Sequence, residues 1–348
     1  MAVTPVEVFV AAGADRWHDV QALRAHELVR LVPTPRHAIV LLVAGTIPES
    51  AREALDRVHD QLPHPRAVVT WDEIAAGDDM ADDVVGDVVD AVASEIIGRA
   101  DRVMADSSTS SPARLPDVEP NEWRGVGPFG QGGEGMMGGT PYGRAMAMTA
   151  DDRDGLSLDR LELRLGPFLG QLPGGLVADV ALQGEVIQSI GFACAGGAPF
   201  VTGDRAVPVA RRLLWLSHAL HVQGLDAFAV GAARLARRSA RLGDDTGLAR
   251  DFASLRRRLR WTGLRSALRG VGDRDGLDTW ARWSARLDAI SAGLDGATTR
   301  PVSADGSMPI TAAELAETIT GLTLTDAVST IIGFDIDVPA MTTTAVET

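Results

Sequence analysis

The chain has 348 residues, 45% hydrophobic and 23% charged, with a net charge of −14. That balance describes globular domains with cores of their own rather than disorder, and the acidity argues against a general nucleic-acid binder. A single cysteine, Cys194, excludes an intrachain disulfide framework.

Residues 1–106 read as an α/β unit. Residues 6–10 make a short apolar strand, and 38–43 a buried strand whose apolar residues run without alternation. Between them, residues 19–31 carry helical spacing at Val20, Leu23, Leu28 and Leu31. Pro48 suits a first helical turn, where its missing N–H costs nothing. An amphipathic helix over 49–61 follows and stops at Pro63, His64 and Pro65. Residues 67–70 form a third strand, with a loop expected at Trp71, Asp72 and Glu73. Over 80–100, Val84, Val88, Val92 and Ile96 recur at four-residue steps, the mark of a helix with a narrow apolar face. Alternating strands and helices predict a doubly wound parallel sheet.

Residues 107–150 have a different texture. Ser107 to Pro112 has linker composition, and residues 125–143 hold nine glycines and two prolines without apolar periodicity. An irregular connector is expected. Gly130 to Gly135 resembles a phosphate loop in composition alone, because no strand before it or helix after it would aim a helix N-terminus at a phosphate.

Residues 151–348 open with a β unit over 156–192. Leu161, Leu163 and Leu165 alternate with polar residues; Leu176, Ala178, Val180 and Leu182 share one face of the next strand; Gln183, Gly184 and Glu185 turn into a strand over 186–190. The rest, 207–335, is helical by its leucine and alanine spacing, with helices over 209–222, 225–242, 248–268, 277–294 and 312–318.

Isolated reactive side chains are given structural roles. One thiolate holds no metal unaided, so Cys194 reads as a small buried residue. His218 and His221 lie three apart on a helix but lack a third ligand nearby, and His18, His26, His37, His59 and His64 are dispersed. Asp78, Asp79, Asp82 and Asp83 suit a solvated helix N-terminus better than a cation site. The chain has no lysine, and residues 234–286 are rich in arginine, including Arg256, Arg257 and Arg258. That run is the candidate surface for an acidic partner or anionic headgroups. No apolar run reaches membrane-spanning length and the first residues lack a secretory pattern, so a cytoplasmic address is expected.

Two stretches carry a family resemblance. Pro33, Thr34, Pro35, Arg36, His37 and Ala38, the strand to Val43, the turn at Gly45 and Thr46, and residues 52–69 together resemble the small, cluster-bearing subunit of respiratory complex I and of membrane-bound nickel–iron hydrogenases. In that subunit a serine-proline-arginine motif leads into a strand, a glycine turn and a helix. Leu165 to Phe168, the hairpin over 175–187 with Gly184 and Glu185, Ile190 to Phe192, and Arg211 to His221 with its Ser217-His218 pair resemble the large subunit of the same complexes. The resemblance implies a fusion of small- and large-subunit-like halves, of the NADH:quinone oxidoreductase and hydrogenase type. It also implies four cysteines around a four-iron cluster, two CxxC motifs for nickel and iron, and a histidine and tyrosine for quinone. The segment Val10 to Ala14, Trp71 to Glu73, and Met104 to Asp106 contain no thiol. Leu172 to Gly175 contains no histidine, and no tyrosine follows Tyr142. The expectation is therefore a catalytically degenerate subunit without cofactor or metal, structural or assembly-related, in a membrane-associated complex of such subunits. Its peripheral membrane contact, on the cytoplasmic face, would be through Arg256, Arg257 and Arg258. The alternative is an active oxidoreductase subunit relying on a cofactor from a partner or on a nucleotide in the glycine-rich connector.

Overall fold

The computed structural model describes residues 4–77, 87–115, 147–151, 155–195, 208–242, 246–296 and 310–336. Four strands, β1 (Val6–Ala12), β2 (Val29–Leu31), β3 (Val40–Ala44) and β4 (Ala67–Thr70), form a parallel sheet in the order β2-β1-β3-β4. Val8 pairs with Val40 and Val40 with Ala67. Side chains alternate across it. Val8, Ala12, Val40, Leu42 and Ala44 face one core, and Phe9, Ala11 and Leu41 face another. Helix α1 (Arg52–Gln61) covers the second face through Ala54, Leu55 and Val58. The first face is covered by a 3-10 helix, Asp19–Ala25, and by α3 (Asp87–Ala105), which buries Val88, Val92 and Ile96. Burial on both faces accounts for the unalternating apolar strands.

Three sequence expectations change here. The helix expected over 19–31 is the 3-10 helix followed by strand β2, where Val29 pairs with Val6. The 3-10 helix ends at His26, and the β-branched Val29 goes to the sheet edge instead of a further helical turn. The loop expected at Trp71 is the first turn of α2 (Trp71–Gly77), which follows β4 directly. The linker-like serines are tied down: Ser111 N–H donates to the Arg66 carbonyl at 2.9 Å, and Arg114 and Leu115 N–H donate to the Asp60 carboxylate at 3.0 and 2.8 Å. Residues 80–86, including Asp82 and Asp83, lie outside the described residues, as do Asp78, Asp79 and the glycine-rich stretch 125–143.

An antiparallel sheet follows: β5 (Met148–Asp151), β6 (Ser157–Leu165), β7 (Leu176–Gln183) and β8 (Val186–Cys194), in chain order. β5 was not foreseen. The helices that follow are α4 (Val209–Val222), α5 (Asp226–Leu242), α6 (Thr246–Leu259), α7 (Leu264–Leu268), α8 (Thr279–Leu294), α9 (Ala312–Ile319) and α10 (Leu324–Phe334), of which α9 packs on β8 and α4 and α5 pack on the 3-10 helix of the first unit. The helix expected over 248–268 is broken in two, because Gly263 sits at φ +78°, a left-handed conformation that glycine adopts without strain. The turn between α9 and α10 pairs with the free edge of β8, Ile187 N–H donating to Leu322 and Gly321 N–H to Ile187 at 2.9 and 2.8 Å. That contact covers an edge that would otherwise template association.

One apolar cluster runs through both sheets, from Val8, Leu23 and Trp71 to Leu176, Leu213 and Trp283. Among the described residues no helix is long and apolar enough to cross a membrane.

Candidate functional site at the junction of the two sheets

In a parallel sheet of order β2-β1-β3-β4 the chain reverses direction between β1 and β3. Open sheets of this kind leave a ligand crevice at the carboxyl ends of those two strands. Here the two loops close on each other. The Asp15 carboxylate accepts from Thr46 N–H at 3.0 Å and from the Thr46 hydroxyl at 3.2 Å. Asp72, in the first turn of α2, accepts from Gly45 N–H at 2.7 Å and from Arg16 Nε at 3.1 Å. Gly45 has φ +82°, and a Cβ there would fall 2.2 Å from Asp15 Oδ1. Burial pulls the Arg16 pKa down, but its hydrogen bonds to Asp72 and Asp19 outweigh that and hold it above the usual value. Asp19 moves upward, burial outweighing Arg16.

The connection between β6 and β7 then lies across this end of the sheet. A Cβ on Gly174 would fall 2.8 Å from the Gly13 carbonyl oxygen and 2.9 Å from that of Ala12, so the two backbones touch where only glycine fits. Phe168 enters the core with Phe9 and Leu41, while Leu172 enters the one with Val8 and Ala12. The Ser50 hydroxyl, in the turn after β3, donates to the Ala195 carbonyl just past β8. Backbone and apolar side chains of the β6–β7 connection thus cover this end of the parallel sheet.

Behind this cover lies His218, on α4. It is 3% exposed and packs edge-on against Trp17, the ring centroids 4.8 Å apart. The Gln171 backbone approaches the ring, yet among the described residues neither nitrogen makes a hydrogen bond of acceptable geometry, and Gln171 Oε1 is equally without one. Burial first, then the positive charges of Arg24, His18 and His221, hold the His218 pKa well below its ordinary 6.5. The imidazole is therefore neutral at neutral pH. Arg24 is itself brought to about 10 by burial, opposed by Asp226, and donates from Nε to Gln21 Oε1 at 3.0 Å.

His218 and His221, given structural roles in the sequence, have separate surroundings. His221 bonds Asp226 through Nδ1 at 2.6 Å, and its pKa is lowered by burial and Arg24 against that carboxylate. His59 is buried elsewhere, bridging Asp60 at 2.7 Å and Ser111 at 2.8 Å. Cys194 closes β8, buried, and burial raises its thiol pKa. Among the described residues no group of three or more His, Cys, Asp or Glu is placed to hold a metal.

The separated charges of the sequence partly meet inside the molecule. Asp90 of α3 binds Arg237 and, at 2.7 Å, Arg241, both on α5, and Asp87 lies 3.4 Å from Arg241. The run Arg256 to Arg258 is no uniform patch: Arg256 pairs with Asp288 at 2.5 Å, and Arg258 lies over the Phe228 ring at 5.5 Å. Trp17 and Gln171 carry no signal in the sequence, since only long-range packing gives them their roles. No protein-family model matches the chain, and no solved structure matches it.

Proposed function

We propose that the protein is a catalytically degenerate subunit, one chain joining halves akin to the small and large subunits of complex I and nickel–iron hydrogenases. Its role would be structural or assembly-related, within a membrane-associated complex of such subunits. The observation that carries this reading is the seating of the 166–175 connection on Ala12 and Gly13. The resemblance places an adjacent cysteine pair after the first strand and a quinone-binding histidine in this connection. The two segments meet, as the small and large subunits do face to face in that family, but neither holds its reactive residue.

The residues present do not fit the groups the resemblance implies. A four-iron cluster takes four thiolates and a nickel–iron centre two pairs, whereas the chain holds one cysteine, buried at the end of β8. What remains is an interface: Phe168 and Leu172 bury apolar surface on both sides of the first sheet, and Asp90 of α3 pairs with Arg237 and Arg241 of α5.

Affinity purification of the chain from its own cell membranes under mild detergent tests the reading. Membrane-embedded subunits should accompany it at a fixed ratio, and metal analysis should find less than stoichiometric iron and nickel. Recovery as a free monomer overturns the subunit role; stoichiometric iron or nickel overturns the degeneracy.

A further inference from the structure

One surface feature lies outside the junction. α6 passes into α7 through a tight corner: Trp261 N–H donates to the Arg258 carbonyl at 3.1 Å, the Thr262 N–H and hydroxyl both donate to Leu259 at 3.2 and 2.8 Å, and Ala267 N–H donates to Gly263 at 3.1 Å. Leu259, Leu264 and Leu268 bury themselves beneath it. The corner is thus hydrogen-bonded and anchored from below, and it holds Trp261 with 87% of its surface open to solvent. Such exposure of the largest apolar side chain is unusual unless something covers it.

Its surroundings point to what does. Residues 252–272 contain six arginines and no carboxylate, in a chain of net charge −14. Arg256 and Arg258 are engaged with Asp288 and Phe228. Arg257, Arg260 and Arg265 are exposed, and among the described residues none of them meets a carboxylate within ion-pair distance.

We propose that this corner docks on an anionic lipid bilayer, the Trp261 indole lying at headgroup level and Arg257, Arg260 and Arg265 facing lipid phosphates. An indole has an apolar body and a single N–H donor, which suits the membrane–water interface. Guanidinium groups bind phosphate oxygens with two parallel hydrogen bonds and are attracted by the negative surface of such a leaflet. A single-stranded nucleic acid is a poorer match, because it is held in a groove with successive stacking aromatics, and among the described residues Trp261 is the one strongly exposed aromatic. Repulsion of the remaining acidic surface is limited by screening, the Debye length being about 8 Å at physiological salt. This docking rests on no part of the subunit reading above.

Flotation of the full chain with vesicles decides it. Vesicles of phosphatidylcholine mixed equally with phosphatidylglycerol should carry at least about tenfold more protein at low salt than phosphatidylcholine alone. Trp261→Ala should reduce that binding about fivefold, and combined Arg257→Glu, Arg260→Glu and Arg265→Glu should bring it to the phosphatidylcholine level. All four side chains are exposed, so unchanged circular dichroism will separate lost docking from lost folding. Absence of binding to either vesicle, equal binding by both variants and the parent, or preference for a single-stranded oligonucleotide over the mixed vesicles overturns the proposal.

Discussion

Replacing His218 with leucine should remove a specific pH dependence of stability. In the folded protein the ring is neutral, held so by burial and by Arg24, His18 and His221, with Trp17 and the Gln171 backbone closing the remaining sides. In the unfolded chain its pKa returns to 6.5. Above that pH neither state carries the proton, and His218 adds no slope. Below it the unfolded chain binds a proton that the folded protein refuses, so stability is lost as pH falls through 6.5 and continues to fall until the lower folded pKa is reached. At pH 5.5 the loss attributable to this ring is on the order of 1 kcal/mol. His218→Leu replaces two unbonded ring nitrogens with an apolar group, so at pH 8 its stability should lie within about 1 kcal/mol of the parent. Urea titrations followed by tryptophan fluorescence at pH 8, 7, 6 and 5.5 should show the variant gaining on the parent by on the order of 1 kcal/mol over that range. The carboxylates and His59, which do not face His218, titrate in both proteins and largely cancel in the difference. Parallel pH profiles for variant and parent would refute the claim that His218 is folded in its neutral form.

Gly174→Ala should cost about 1–3 kcal/mol, since its Cβ would press on two backbone carbonyl oxygens that cannot rotate away. Gly170→Ala in the same connection has open space and should change thermal stability by less than about 0.5 kcal/mol. Asp90→Asn should lower stability by about 1 kcal/mol in low salt and by less in high salt, because its arginine partners on α5 are partly solvated. Because one apolar cluster runs through both sheets, urea unfolding read by tryptophan fluorescence and by far-UV circular dichroism should coincide; two separated transitions would show that the junction is not part of a common core.

Elements with strong apolar spacing were legible at the level of residues. α4 spans Val209–Val222 and β4 spans Ala67–Thr70, the ranges their leucine and valine patterns indicate. Periodicity misled where two structures satisfy the same spacing: Val20 and Leu23 bury equally well on a 3-10 helix as on an α-helix, and nothing local to Val29 announces that Val6 will pair with it. Gly263 was visible as a glycine but not as a break, because glycine inside a helical pattern is often tolerated. The junction is a different case. Gly13, Phe168 and Gly174 lie in segments that the family resemblance draws on, but their packing roles come from a contact between segments roughly 160 residues apart, which no window of periodicity spans.

Charge was the least legible property, and its correction bears on how a surface should be inferred from composition. The acidic segment containing Asp87 and Asp90 and the arginine-rich segment containing Arg237 and Arg241 are separate blocks in sequence, and either alone invites a reading as a docking site. Folding places them against each other, where each pair contributes little by itself because both partners remain partly hydrated. Arg256 and Arg258 are likewise engaged within their own helical layer. A charged run therefore supports docking only in the part left over after such internal partners are subtracted. Applied to α6 and α7, that subtraction removes two members of the triplet and retains Arg257, then adds Arg260 and Arg265 from beyond it. The exposed Trp261 between them gives the remainder an apolar centre, which distinguishes a docking corner from a merely solvated charge cluster.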